Sequence, residues 1–172
     1  MRRTITGTLI VYAVFASIPF PSLAQPGSVS EREALARELS TAWLPLESGM
    51  TVSRSEGTPI SAKYEIDDGT FQLSVYTMRG ERFSEVIVDY NVGTILKVDP
   101  ITDGGDLAAA KNQREIMARA TRTLEAAAGD VVGRNPGYRA VSAMPSLKEG
   151  RPVVEVILVN GDAWRIAFGS LD

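Results

Sequence analysis

The chain has 172 residues, a net charge of −3 and 44% hydrophobic residues, and it contains neither cysteine nor histidine. Those two absences exclude disulfides, Ser-His-Asp and Cys-His catalysis, and the usual zinc and iron ligands. The mildly acidic balance argues against a nucleic-acid or anionic-lipid surface, and the length suffices for one compact domain with a real core.

Residues 1–24 have the layout of a secretory signal peptide: Arg2 and Arg3, an apolar stretch from Leu9 to Ile18, Pro19 and Pro21, then Ser22-Leu23-Ala24 ahead of Gln25. The apolar stretch is well short of the ~20 residues that a spanning helix needs. Cleavage after Ala24 predicts a soluble periplasmic or secreted chain with no membrane segment left. Loss of Arg2 and Arg3 leaves sixteen basic against twenty-one acidic residues, a charge of −5.

Residues 25–45 read as a flexible start and an extra N-terminal helix, with Ser30 and Glu33 as a capping box and Leu35, Leu39, Ala42 and Trp43 on one face, stopped by Pro45. A short helix fits 46–56, with Leu46 and Met50 inward. Strands fit 60–66, 70–78, 83–90 and 94–98, where β-branched and aromatic residues alternate with polar ones. Asp67-Asp68-Gly69 is a strong hairpin signal, because Asp-Gly tolerates the positive φ angles of a tight turn. Residues 100–105 read as a linker, with Asp106 as cap of a helix over 107–132, continuous or broken near 121–123. Asn135-Pro136-Gly137 ends it, and strands follow at 138–144, 153–159 and 163–168.

Laying 46–99 against 106–172 exposes a repeat. Leu46 matches Leu124 at an offset of 78, while Leu73, Gly80 and Phe83 match Val154, Gly161 and Trp164 at 81, with a longer turn over 145–151 taking up the difference. The expected fold is α+β: two units of one helix and a three-stranded antiparallel sheet, packed together because about 70 residues alone would be marginal.

The stretch ISAKYEIDDGTFQLSVYT followed by GERFSEVIVDYNVGTI resembles the PepSY family, and Asp89 to Ile95 resembles that family's D-x-x-T-G-x-V close, with Val92 where the family has Thr. The second copy, YRAVSAMPSLKEGRPVVEVIL, departs at its end, where Ser170-Leu171-Asp172 replaces the close. The resemblance implies a noncatalytic module outside the cytoplasmic membrane. It also implies a link to peptidases, since the family occurs in propeptides of thermolysin-like metallopeptidases. It carries no catalytic residues.

Chemistry outside that resemblance is sparse. A Ser-Lys dyad would have to use Lys63, Lys97, Lys111 or Lys148, all in polar contexts. Asp99, Asp103 and Asp106 form the one loop-like acidic cluster and suit calcium by ligand type, but their spacing is not that of an EF-hand. Trp164, Ile166 and Phe168 alternate and read as a sheet face packed on its helix, as does Phe83. Glu85 and Glu155 interrupt apolar strands as guards of a solvated face or edge. No residue is assigned to catalysis, a cofactor or a metal. The expected function is binding of a peptide or protein, a peptidase among the candidates, at a sheet edge. The alternatives are an enzyme using carboxylates alone, for which Asp67, Asp68, Glu85 and Asp89 are available, and a calcium-associated structural module.

Overall fold

The computed structural model describes residues 28–172; the expected signal peptide lies outside the described residues. In chain order the elements are α1 (Val29–Leu39), α2 (Leu46–Ser53), β1 (Thr58–Asp67), β2 (Thr70–Arg79), β3 (Arg82–Val88), β4 (Ile95–Ile101), α3 (Gly104–Met117), α4 (Leu124–Gly133), β5 (Arg139–Lys148), β6 (Arg151–Asn160) and β7 (Ala163–Ser170). The fold is α+β, with four helices and one seven-stranded antiparallel sheet in the order β4-β3-β2-β1-β5-β6-β7.

The single sheet corrects the expectation of two helix-plus-three-strand units. The four strands of the first half are those expected, but they do not form a separate sheet: β1 joins β5 through the pairs Ala62↔Ala143 and Lys63↔Ser142. An unsatisfied inner edge on two separate sheets would leave backbone donors and acceptors to be covered; pairing β1 with β5 satisfies them directly. The hairpins on either side of this seam nevertheless echo each other at an offset of 81. Asp68-Gly69 and Glu149-Gly150 make the β1–β2 and β5–β6 turns with positive φ throughout, at 46° and 78° against 52° and 79°. Register shifts fall between Pro59 and Ser61 and between Ala140 and Ser142. The segment 145–151 is therefore not a long turn. Pro145 to Lys148 are strand, and the three extra residues sit in α4 and the loop after it.

Helices α1, α2 and α4 share one face of the sheet and enclose the main core, where Leu39, Leu46, Met50, Leu124 and Val131 meet Tyr64, Leu73, Val75, Val86, Val154, Val156 and Leu158. The capping box of α1 uses Ser28 and Glu31, two residues earlier than expected, and the helix ends at Leu39, which leaves Trp43 84% exposed rather than inward. The connector to α2 is tied down instead by its backbone: Trp43 and Leu44 donate to the Tyr90 carbonyl, and Tyr64 Oη and Arg139 Nη2 both donate to the Leu44 carbonyl. Tyr64 stacks on Phe71 at 5.4 Å, and Phe71 meets Tyr90 at 4.9 Å.

Only α3 among the described helices packs on the opposite face, against β1 and β5, where Ala110 and Leu107 close over Ile60, Tyr76 and Phe83. Residues 100–105 are not an open linker: Pro100 and Ile101 complete β4, and α3 begins at Gly104. Asp103 occupies its N-cap position without a side-chain cap bond, so Asp106 lies inside the first turn rather than capping it. The helical stretch breaks at 118–123, where Thr123 Oγ1 caps α4 by accepting from the Ala126 amide.

Candidate functional site

A seven-stranded sheet presents two edges, and their chemistry differs. Edge strand β4 carries the devices that discourage further pairing. Pro100 removes a donor, the register shifts opposite Ile87 and Val88 so that Leu96 bulges out, and Lys97 pairs with Asp99 at 2.7 Å. Edge strand β7 has no proline and no register shift against β6, and its one charged residue is Arg165. That guanidinium is drawn back over the helical face: it stacks on Tyr138 at 4.1 Å and donates to Asn135 Oδ1 at 2.9 Å and to the Tyr138 hydroxyl at 3.0 Å.

Side chains of β7 alternate between two environments. On the helical face Gly169 lies against α4, where an added Cβ would come within 2.8 Å of Val131 Cγ2. On the other face stand Trp164, Ile166 and Phe168, opposite Val159, Ile157 and Glu155 of β6. Ile166 is 42% and Phe168 43% exposed, and Trp164 is half-buried. This corrects the expectation of core for Ile166 and Phe168, since α4 packs on the opposite face, while Trp164 is partly buried against the main core. Phe83, at the matching place in β3, is buried under α3 with Arg114 5.6 Å from its ring centre. The same alternation therefore ends in core on one side of the sheet and in an exposed stripe on the other. Lys148 lies 4.6 Å from the Phe168 ring centre at the rim of the stripe.

Beyond the C-terminal end of β7 the chain continues for one residue in the β6–β7 register. Leu171 is fully buried, its amide donates to the Pro152 carbonyl, and its own carbonyl accepts from the Thr121 and Arg122 amides. No strand pairs with the outer side of β7 among the described residues, whereas β3, at the matching place, is covered by β4.

The other predicted polar residues do not converge on one cleft. Asp67 and Asp68 are at the β1–β2 turn, and Asp89 Oδ1 accepts from the Asn91 and Val92 amides in the turn after β3. Those two bonds hold the Asp89 carboxyl below its ordinary pKa, which gives the first residue of the D-x-x-T-G-x-V-like close a structural use. Glu85 accepts from Ser74 Oγ at 2.6 Å and sits opposite Asp99, whose charge Lys97 offsets. Glu155 is half-buried between Met144 and Phe168.

Asp99, Asp103 and Asp106 are divided between β4, the N-cap and the first turn of α3. Among the described residues no group of three or more acidic side chains is placed to hold a metal ion. Of the lysines, Lys63 pairs with Glu65 at 2.5 Å, and the bond to Asp99 raises the Lys97 pKa, the opposite of what a general base needs. Lys111 is exposed on α3.

Sequence reasoning missed the polar seam under α3. Ser61 Oγ donates to Gln113 Oε1 at 2.9 Å, and Ser142 Oγ is buried without a hydrogen-bond partner. A cavity of about 40 Å³ lies between them. Tyr76 lines it too; its pKa is raised well above the ordinary value by burial and then by its hydrogen bond to Asp106. Alternation marks these positions as facing away from the main core, but it gives no sign that a helix covers them.

No family model matches the chain, and no curated protein matches it. Among solved structures the chain has a distant likeness to a "putative lipoprotein" from Clostridium difficile 630, with 11% identity and a TM-score of 0.38, over 74% of this chain and 94% of that one. A likeness of that size carries no argument about function.

Proposed function

We propose that this is a noncatalytic, exported envelope protein built from two PepSY-like repeats, which binds an extended segment of a peptide or protein, a peptidase among the candidates, along the outer edge of β7. The observation that carries the reading is the edge itself: an eight-residue strand with no strand on its outer side and no proline, an apolar stripe beside it, and, of its outward-facing backbone groups, the Ser170 carbonyl accepting from Arg122 Nη1 at 3.4 Å at its C-terminal end. An added strand gains main-chain hydrogen bonds from such an edge and specificity from alternate side chains lying on the stripe. The constant offset of 81 residues between the two hairpin turns and their bulges supports descent from a repeated unit. The signal-peptide-like pattern of residues 1–24 supports export.

The test is capture of partners from envelope extract on immobilised protein, comparing wild type with Arg165→Pro and Ile166→Pro. Adjacent residues of a strand point their N–H groups to opposite sides, so one of the two substitutions removes an outward donor and the other a β6–β7 bond. Each variant is checked by circular dichroism. The folded variant lacking the outward donor should lose the captured partner, while Glu85→Ala, Asp89→Ala and Glu155→Ala retain it. Normal capture by both folded proline variants, or loss through a single carboxylate, would refute the edge reading.

A further inference from the structure

Resting on the reading that the β7 edge takes up an extended partner, we infer that this partner is a second copy of the chain, paired antiparallel β7 to β7 across a twofold axis at Ile166. A twofold axis normal to the sheet keeps each face continuous between the copies, and residues opposite one another lie equally far from the axis on either side. This leaves few registers, and side-chain chemistry separates them.

Centring on Arg165 would set guanidinium against guanidinium, a directly opposed like-charge pair. Centring on Ala167 would put Trp164 against Ser170 and strand the indole. Centring on Ile166 sets Ile166 against itself, Trp164 against Phe168 of the second copy on both sides of the axis, and Arg165 against Ala167, so no like charges meet. The half-exposed stripe becomes a continuous row of six large apolar side chains across the joint. Aromatic cross-strand pairs of this kind stabilise an antiparallel pair. Arg165 is already held back by Asn135 and Tyr138 and need not move.

The chain has no cysteine, so a single introduced thiol is a clean probe. Opposed residues across an antiparallel pair have Cα atoms about 4.5–5.5 Å apart, within disulfide reach. Ile166→Cys should therefore link two copies under mild oxidation. Trp164→Cys places its thiols about four residues, roughly 14 Å, apart and should not. Wild type should sediment as a dimer, and Ile166→Lys as a monomer with an unchanged far-ultraviolet spectrum; if the lysine variant does not fold, the two cysteine variants decide alone. A monomeric wild type, a dimer that survives in folded Ile166→Lys, or cross-linking of Trp164→Cys as readily as Ile166→Cys would overturn the inference. A monomeric wild type whose outward-donor proline variant still loses a captured partner would overturn the self-pairing but leave the edge reading intact. A β7-linked dimer that captures nothing else would support the self-pairing alone.

Discussion

The Leu44 carbonyl is one point, beside the β1–β5 seam, at which the two halves of the chain meet, and its energetics can be worked from its donors. Tyr64 Oη, from β1, and Arg139 Nη2, from β5 at 3.3 Å, both donate to it, and Arg139 Nη1 also reaches the Leu39 carbonyl at 2.7 Å. Tyr64→Phe removes one donor but leaves the carbonyl with the other, so the loss is that of an ordinary net hydrogen bond, about 1 kcal/mol. Arg139→Met removes a charged donor from two carbonyls, of which Leu39 keeps the Ala42 amide at 3.2 Å; about 2 kcal/mol is expected. The double variant strips Leu44 of both donors. A partly buried carbonyl without a partner costs ~1 kcal/mol beyond the lost bonds, so the double variant should be less stable than the sum of the single changes by about that amount. The assay is urea denaturation of the four proteins followed by circular dichroism. Additivity within about 0.5 kcal/mol would show that the two donors act independently and that the shared carbonyl is not what couples them.

Two further outcomes follow from burial and close approach. Burial pushes the Tyr64 hydroxyl up to about 12, with Arg139 opposing and Glu47 adding, so the folded state favours the neutral phenol. Its stability contribution is complete below pH 10 and is lost as pH rises towards about 12. The urea midpoint of wild type should fall between pH 9 and pH 11 by more than that of Tyr64→Phe, and equal falls would contradict the assignment. In Gly169→Ala the new methyl would lie 2.8 Å from Val131 Cγ2, 3.0 Å from Val154 Cγ1 and 3.2 Å from the Ala127 carbonyl. It should cost about 1–3 kcal/mol and lower Tm by several degrees, whereas Gly129→Ala in α4, with nothing within 4 Å, should raise stability by about 1 kcal/mol; a neutral Gly169→Ala would mean that α4 does not press on β7.

The parts of the fold that were legible are those whose signals are local. Asp68-Gly69 marks its hairpin because the φ angles needed are properties of those residues. Leu46 and Leu124 open helices in both halves and are buried, as their spacing suggests. The first cap was misplaced because Ser28…Glu31 and Ser30…Glu33 satisfy the same pattern, and the box forms at the earlier of the two. The β1–β5 seam had no local signal at all: Ala62 and Ala143, like Lys63 and Ser142, are ordinary strand residues, and their pairing is fixed by the helices gathered over both halves.

The reading of Trp164, Ile166 and Phe168 failed for a different reason, and the reason bears on function. Alternation reports that one face of a strand is apolar; it does not report what lies on that face. Phe83 and Trp164 read alike in sequence, yet Ala110 and Leu107 of α3 close over Phe83, while Trp164 stays half-buried at the rim of the core and Ile166 and Phe168 beyond it are exposed on an edge strand whose other face already holds α4. A strand with one face occupied by a helix cannot turn its apolar side chains inward without exposing Gly169 and Ala167, the small residues that let α4 approach. The register that seats α4 on β7 is thus the same register that presents the stripe to solvent. Exposure of Ile166 and Phe168 follows from the packing of the core, which makes the stripe a fixed feature of the folded chain rather than the result of a loose or frayed edge.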